Sequence, residues 1–137
     1  MPTRSEWNAL AAKCEAATGL DREIDVLLAV AVGDVPAGYV RHDAFTWICK
    51  QKYGLPLTYS PATFTDSIDA IVSLIRRELS GWHWECGADK TAMVRDAADI
   101  WESSVKNDHV CWKAASPALA LCTAFCRAKA ETCEEAE

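Results

Sequence analysis

The chain is poor in the spacings that announce chemistry. Only three histidines and six glycines occur in 137 residues. The glycines build no phosphate-cradling loop, no dinucleotide fingerprint and no nucleophile elbow. The motif-borne routes to phosphoryl transfer, hydride transfer and serine hydrolysis are therefore missing. Seven cysteines are present without a single C-x-x-C, which removes the usual zinc-ribbon and thiol-redox patterns. No uninterrupted apolar run is long enough to span a bilayer. The opening "MPTRSEWNAL" has no apolar core of the signal-peptide type, so the chain is expected to stay in the cytoplasm that makes it. Repeats and low-complexity segments are absent. Cationic residues number 14 against 20 acidic ones, a net charge of -6, which disfavours direct nucleic-acid binding.

What is present describes one folded domain over 1–137. Half the residues are hydrophobic and a quarter charged, a globular composition of ordinary domain size. Ser5 is placed to cap a first helix in which Trp7, Leu10, Ala11 and Cys14 repeat at helical spacing before Gly19. Asp21 caps a second, with Ile24, Leu27, Leu28 and Ala31 as its apolar face and Gly33 as its stop. "FTDSIDAIVSLIRREL" is the clearest helix, capped by Thr65 or Asp66 and striped by Ile68, Ile71, Val72, Ile75 and Leu79. Ser116-Pro117 opens a last helix with Ala118, Leu121, Cys122 and Phe125 inward. It runs into an acidic tail at about 131–137.

Two other stretches read as strands. "GWHWECG" alternates, with Trp82, Trp84 and Cys86 on one side and His83 and Glu85 on the other. "TAMVR" supplies a returning strand, and "HVCWKA" alternates again after the acidic "DAADIWESS", itself a turn of helix or a strand. The stretch at about 34–64 is an irregular insertion. Glycine and proline punctuate it, and "GYVRH", "FTWICK" and "LPLTY" are β-branched and aromatic, which predicts two or three short strands. The resulting expectation is α+β: a single-domain α-β-α layered sandwich with a small, mostly antiparallel sheet and about four helices.

Packing outweighs chemistry at each candidate site. Cys86 faces away from His83 and Glu85, so that strand does not hold three ligands together. Cys122 and Cys126 share a helical face suited to core sulfur, and no metal or cofactor is expected. Asp66 and Asp69 sit where a helix start favours negative charge, without a catalytic pair. His42, His83 and His109 lie near strand edges with no nucleophile beside them in sequence, so no catalytic residue is assigned. Binding remains. From Gly38 to Tyr59, Arg41, Lys50 and Lys52 face only Asp43, in a stretch rich in aromatics. Tyr39, Arg41, Trp47, Lys50, Lys52, Tyr53 and Trp101 are the candidate partner- or ligand-binding residues; Trp47 and Trp101 are the better candidates for exposure among the tryptophans, with core packing the leading reading for any single one.

The order of these elements resembles the phage ABA sandwich domain family of small bacteriophage and prophage proteins. Arg22, Glu23, Ile24 and Asp25 match its R-E-hydrophobic-D pattern. Phe64, Thr65, Ser67, Ile68 and Asp69 match its aromatic-T/S-x-S-hydrophobic-D helix start, and Ser116 to Cys122 its last helix. The resemblance covers most of residues 5–130 and implies an α-β-α domain of phage origin with no established activity. Taken with the small single domain, the acidity and the missing catalytic motifs, it leads to the expectation of a noncatalytic accessory protein that binds a host protein or complex in the host bacterial cytoplasm, as an inhibitor of antiviral defence. A sponge for nucleotide immune signals and a virion assembly protein are the alternatives.

The cysteines yield a direct test. As core sulfur, Cys14, Cys86 and Cys122 are to react slowly with a thiol reagent in the native state, and Cys133 first. Cys122→Ala is to lower stability by about 1–2 kcal/mol through lost packing without abolishing folding. Stoichiometric zinc in the purified protein, lost with the fold in Cys122→Ala, is the contrary result.

Overall fold

A computed structural model describes residues 2–86, 91–96 and 110–133. The fold is α+β, with four helices and antiparallel sheets among the described residues, as the sequence pattern predicts. Helix α1 (Arg4–Ala16) buries Trp7, Leu10, Ala11 and Cys14, the predicted stripe. Its cap, however, is Thr3 and not Ser5. Thr3 Oγ1 accepts the Glu6 N–H at 3.1 Å and Glu6 Oε1 accepts the Thr3 N–H at 3.0 Å, a reciprocal pair that Ser5 cannot offer from inside the first turn.

Helix α2 (Arg22–Ala31) starts on Asp21, whose Oδ1 accepts the Ile24 N–H. Gly33, at φ 73°, turns the chain out of it. Its inward face is rotated from the predicted one: Ile24, Asp25, Val26, Leu28 and Ala29 are buried, while Leu27 is exposed. Asp25 causes the rotation. Its side chain is wholly enclosed, so its partners fix which side of the helix turns inward.

Those partners come from Arg22 and from a turn 40 residues away. Arg22 donates to Asp25 Oδ2 at 2.8 Å, and Oδ1 accepts the Thr65 N–H at 2.9 Å and the Thr65 hydroxyl at 3.0 Å. Arg22 also donates to Ser60 Oγ and to the Pro61 and Ala62 carbonyls. Thr65 is thereby committed to Asp25 and does not cap the next helix; nor does Asp66. Helix α3 (Ile68–Glu78) starts on Ser67, whose Oγ accepts the Ala70 N–H at 3.1 Å. Ile71, Val72, Leu74 and Ile75 are its buried face, with Leu79 just beyond, whereas Ile68 in the first turn is exposed.

Two three-stranded antiparallel sheets complete the described fold. One orders β1 (Val40–Arg41), β2 (Trp47–Cys49) and β3 (Leu57–Tyr59); the other orders β4 (Trp82–Cys86), β5 (Thr91–Asp96) and β6 (Val110–Lys113). In the second, Trp84 pairs with Val94 and Ala92 with Trp112. Trp82, Trp84 and Cys86 pack against the core half-buried, while His83 and Glu85 are exposed. The alternating tryptophan stretch is a strand with its tryptophans inward, as its period predicts.

Helix α4 (Pro117–Glu131) is the centre of the core. It lies against α1, α3 and the β4–β5–β6 sheet, with α2 packed on α1. Ser116 caps it, and Pro117 takes the first turn. The sequence pattern predicts one inward face for this helix; in the fold nearly every side is covered, from Leu119 and Leu121 to Phe125 and Cys126. Small residues permit this, since Ala118, Ala120, Ala124 and Ala128 let neighbours approach closely. Trp7 meets Phe125 edge-on at 5.9 Å, and Arg4 donates to the carbonyls of Ala130 and Cys133 where the helix ends. The acidic "DAADIWESS" beyond Asp96 and the last four residues of the tail lie outside the described residues. Among the described residues no helix is long and apolar enough to cross a membrane.

Burial, the largest influence, raises the Asp25 carboxyl above its ordinary value, against the lowering effect of Thr65 and Arg22. A raised folded-state value favours the protonated form, so this contribution to stability is fully present below the ordinary carboxylate range and is lost as pH rises through the folded value. The stability difference between wild type and Asp25→Asn is therefore expected to shift in favour of wild type as pH falls from 7 towards 4. Urea unfolding of both proteins across that range measures it. Asp25→Ala is expected to cost about 2 kcal/mol at neutral pH, since it leaves the buried Thr65 N–H without its acceptor while Arg22 keeps Ser60, Pro61 and Ala62.

Candidate binding surface

Between α2 and α3 the chain leaves the body to build the β1–β2–β3 sheet. Gly38, at φ 86°, reverses it, and Val40↔Ile48 and Arg41↔Trp47 set the first pairing. The turn between them is closed from within. Asp43 Oδ1 accepts the Phe45 N–H at 2.9 Å, and Arg41 donates to the carbonyls of Asp43 and Ala44, both at 2.8 Å. The Phe45 N–H, followed by the Thr46 side chain, holds the Asp43 carboxyl below the usual carboxylate range.

Trp47 is the core of this small sheet. The Arg41 guanidinium lies 4.5 Å above its ring, and Tyr59 meets it at 5.9 Å in an edge contact. Its exposure is 6 %, which removes Trp47 as an exposed binding candidate and agrees with core packing as the leading reading of a single tryptophan. Cross-strand pairing gathers Arg41, Trp47 and Tyr59 into one row, and that row encloses the ring. Trp47 is thus unavailable to stack a base, and Arg41 is engaged in bracing the turn.

The sheet touches the body lightly. Arg22 holds its exit at Ser60 to Ala62, and burial together with the nearby Asp34 carboxylate raises the Tyr59 phenol above its ordinary value. Asp34 is itself paired with Arg77 of α3 at 2.7 Å.

The β2–β3 loop runs from Lys50 to Pro56, and every residue of it is exposed. Gly54, at φ 85°, makes its reversal. Tyr53 is 82 % and Leu55 88 % exposed, and Leu57 at the loop's base is 51 % exposed. Lys52 Nζ lies 5.7 Å from the centre of the Tyr53 ring. Of the predicted binding residues, the fold brings Lys50, Lys52 and Tyr53 together on this loop. Tyr39 is half-buried before β1, Arg41 and Trp47 form the internal brace, and Trp101 lies outside the described residues. The sequence pattern does not single out Leu55 and Leu57. The available signal is Leu55 itself, an aliphatic residue set between Gly54 and Pro56 where strand burial is least available.

Two other places carry chemical groups. Cys14, Cys122 and Cys126 lie fully buried, with Cys122 Sγ donating to the Phe64 carbonyl at 3.3 Å. Burial first, and the neighbouring Cys14 next, push the Cys122 and Cys126 thiols well above their ordinary value. They are unreactive core sulfur. Among the described residues no group of three or more His, Cys, Asp or Glu is arranged to hold a metal ion. A groove of about 290 Å³ also runs between α1 and α2, lined by Trp7, Leu10, Lys13, Leu27 and Val30.

Comparison with protein-family models, with curated proteins and with solved structures finds no match for this chain.

The lightly attached sheet and its internal tryptophan predict local failure. Trp47→Ala is expected to cost the sheet about 3 kcal/mol while α4 keeps its protection. Hydrogen exchange resolved by residue should show faster exchange across 40–59 and unchanged exchange across 118–130.

Proposed function

We propose that this chain is a noncatalytic binding protein whose contact element is the β2–β3 loop. The observation that carries the reading is the exposure of Tyr53 and Leu55, 82 % and 88 %, on a sheet braced by Trp47 and Arg41. Aromatic and aliphatic side chains held in solvent by a defined turn are ready anchors for a protein interface. The pairing of Cys49 with Leu57 fixes the two ends of the loop, which reduces the ordering left to binding.

Together with the motifs shared with the phage ABA sandwich family, this supports a bacteriophage or prophage accessory protein acting in the host bacterial cytoplasm. Its partner is a host protein or complex, and inhibition of host antiviral defence is the role that fits a small binding module of this origin. The fold separates the tasks: the body supplies stability through α4, and the sheet presents the loop.

Affinity capture from bacterial lysate with the full chain as bait tests the reading. Wild type is expected to retain a host protein at moderate salt that Tyr53→Ala/Leu55→Asp does not, with equal melting temperatures for the two baits. Identical retention by both baits, or none by either, rejects the loop as the contact element.

A further inference from the structure

The loop's chemistry specifies more than its exposure does. It is convex, with Tyr53 and Leu55 at the tip and Lys50 and Lys52 in the chain just before them, all in solvent. The segment from Gly38 to Tyr59 holds three cationic side chains and one carboxylate, in a chain of net charge -6. The Asp43 carboxylate is turned into its own backbone by the Phe45 N–H, away from the loop tip in sequence and on the opposite connection of the sheet. The lysines are therefore a cationic island on an acidic molecule.

Resting on the binding role proposed above, we infer that the partner presents an apolar cleft with an acidic rim, into which the β2–β3 loop inserts. Tyr53 and Leu55 enter the cleft, and Lys50 and Lys52 meet carboxylates at its edge. The attraction between the two lysines and that rim brings the loop foremost into the complex. A second copy of this chain docked tip to tip would set Lys50 and Lys52 against their equals, an arrangement that like charges disfavour. Nucleic acid fits less well: the net charge of -6 disfavours phosphate, two lysines are a small set for a phosphate backbone, Trp47 is enclosed, and Leu55 has no counterpart there.

The test uses the full chain carrying Leu55→benzoylphenylalanine as a photo-cross-linking probe in bacterial lysate, with the same group at His83 on exposed β4 as the control. One partner protein is expected to cross-link through position 55 and not through position 83, at a peptide richer in Asp and Glu than in Lys and Arg. Raising NaCl to about 0.5 M, or adding Lys50→Glu/Lys52→Glu, is expected to cut the yield about tenfold, as screening or reversal of a charged rim contact does. A specific cross-link whose yield ignores salt and charge reversal overturns the acidic rim while leaving the loop as a binding element. A cross-linked dimer of this chain, or a signal abolished by nuclease, overturns the inference in favour of self-association or nucleic acid. Identical products from positions 55 and 83 overturn both the inference and the binding role of the loop.

Discussion

The enclosed carboxylate of Asp25 is the constraint on which the arrangement of this protein turns. A carboxylate removed from water is costly unless its oxygens are met, and here the Arg22 guanidinium and both donors of Thr65 meet them. Satisfying that one group has three structural consequences. It turns the Asp25 side of α2 inward, it draws the Phe64–Thr65 turn against α2, and it leaves Ser67 to start α3. Arg22 reaches on to the Ser60–Ala62 backbone, so the exit of the small sheet is tied to the same point. Residues 22–25 and 64–65, some 40 positions apart in the chain, thus meet in space through these paired polar groups.

The hydrophobic core and this polar lock divide the labour. Non-directional burial around α4 supplies the bulk of the stabilisation, and close approach through its alanines gives high packing density. Burial alone leaves rotations of α2 nearly degenerate, since apolar residues occur on several of its sides. Leu27 and Val30 remain exposed although both are aliphatic. The hydrogen bonds of Asp25 break that degeneracy, because any other rotation leaves the buried Thr65 N–H without its acceptor. Three thiols fill the space beside the lock as small hydrophobes, with Cys122 satisfying the Phe64 carbonyl next to Thr65.

The small sheet follows a different logic. Its one large enclosed side chain, Trp47, is covered by residues of its own strands, by a cation–π contact and an aromatic edge. Such a unit holds its shape while leaning only lightly on the body. This permits an exposed tip with two lysines and two large apolar groups, a combination that would be awkward on a surface also required to pack. The exposed tip and the packed core thus lie on different sheets.

Features governed by neighbours in sequence are legible in the sequence alone. The α1 stripe Trp7, Leu10, Ala11 and Cys14, the alternation from Trp82 to Cys86, and the Ser116-Pro117 start follow from helical period, strand period and proline geometry, which are local properties. Lys50, Lys52 and Tyr53 stand together in the sequence, and the fold leaves all three exposed on one loop. The tertiary structure decides which polar groups are desolvated and which apolar ones are not. Thr65 reads in sequence as a cap and Trp47 as a candidate for exposure. Each is reassigned by a partner distant in the chain: Asp25 for Thr65 across 40 residues, Tyr59 for Trp47 across the strand register. Period and composition carry no information about such pairs, because the energy of a buried polar group depends on what the fold places beside it.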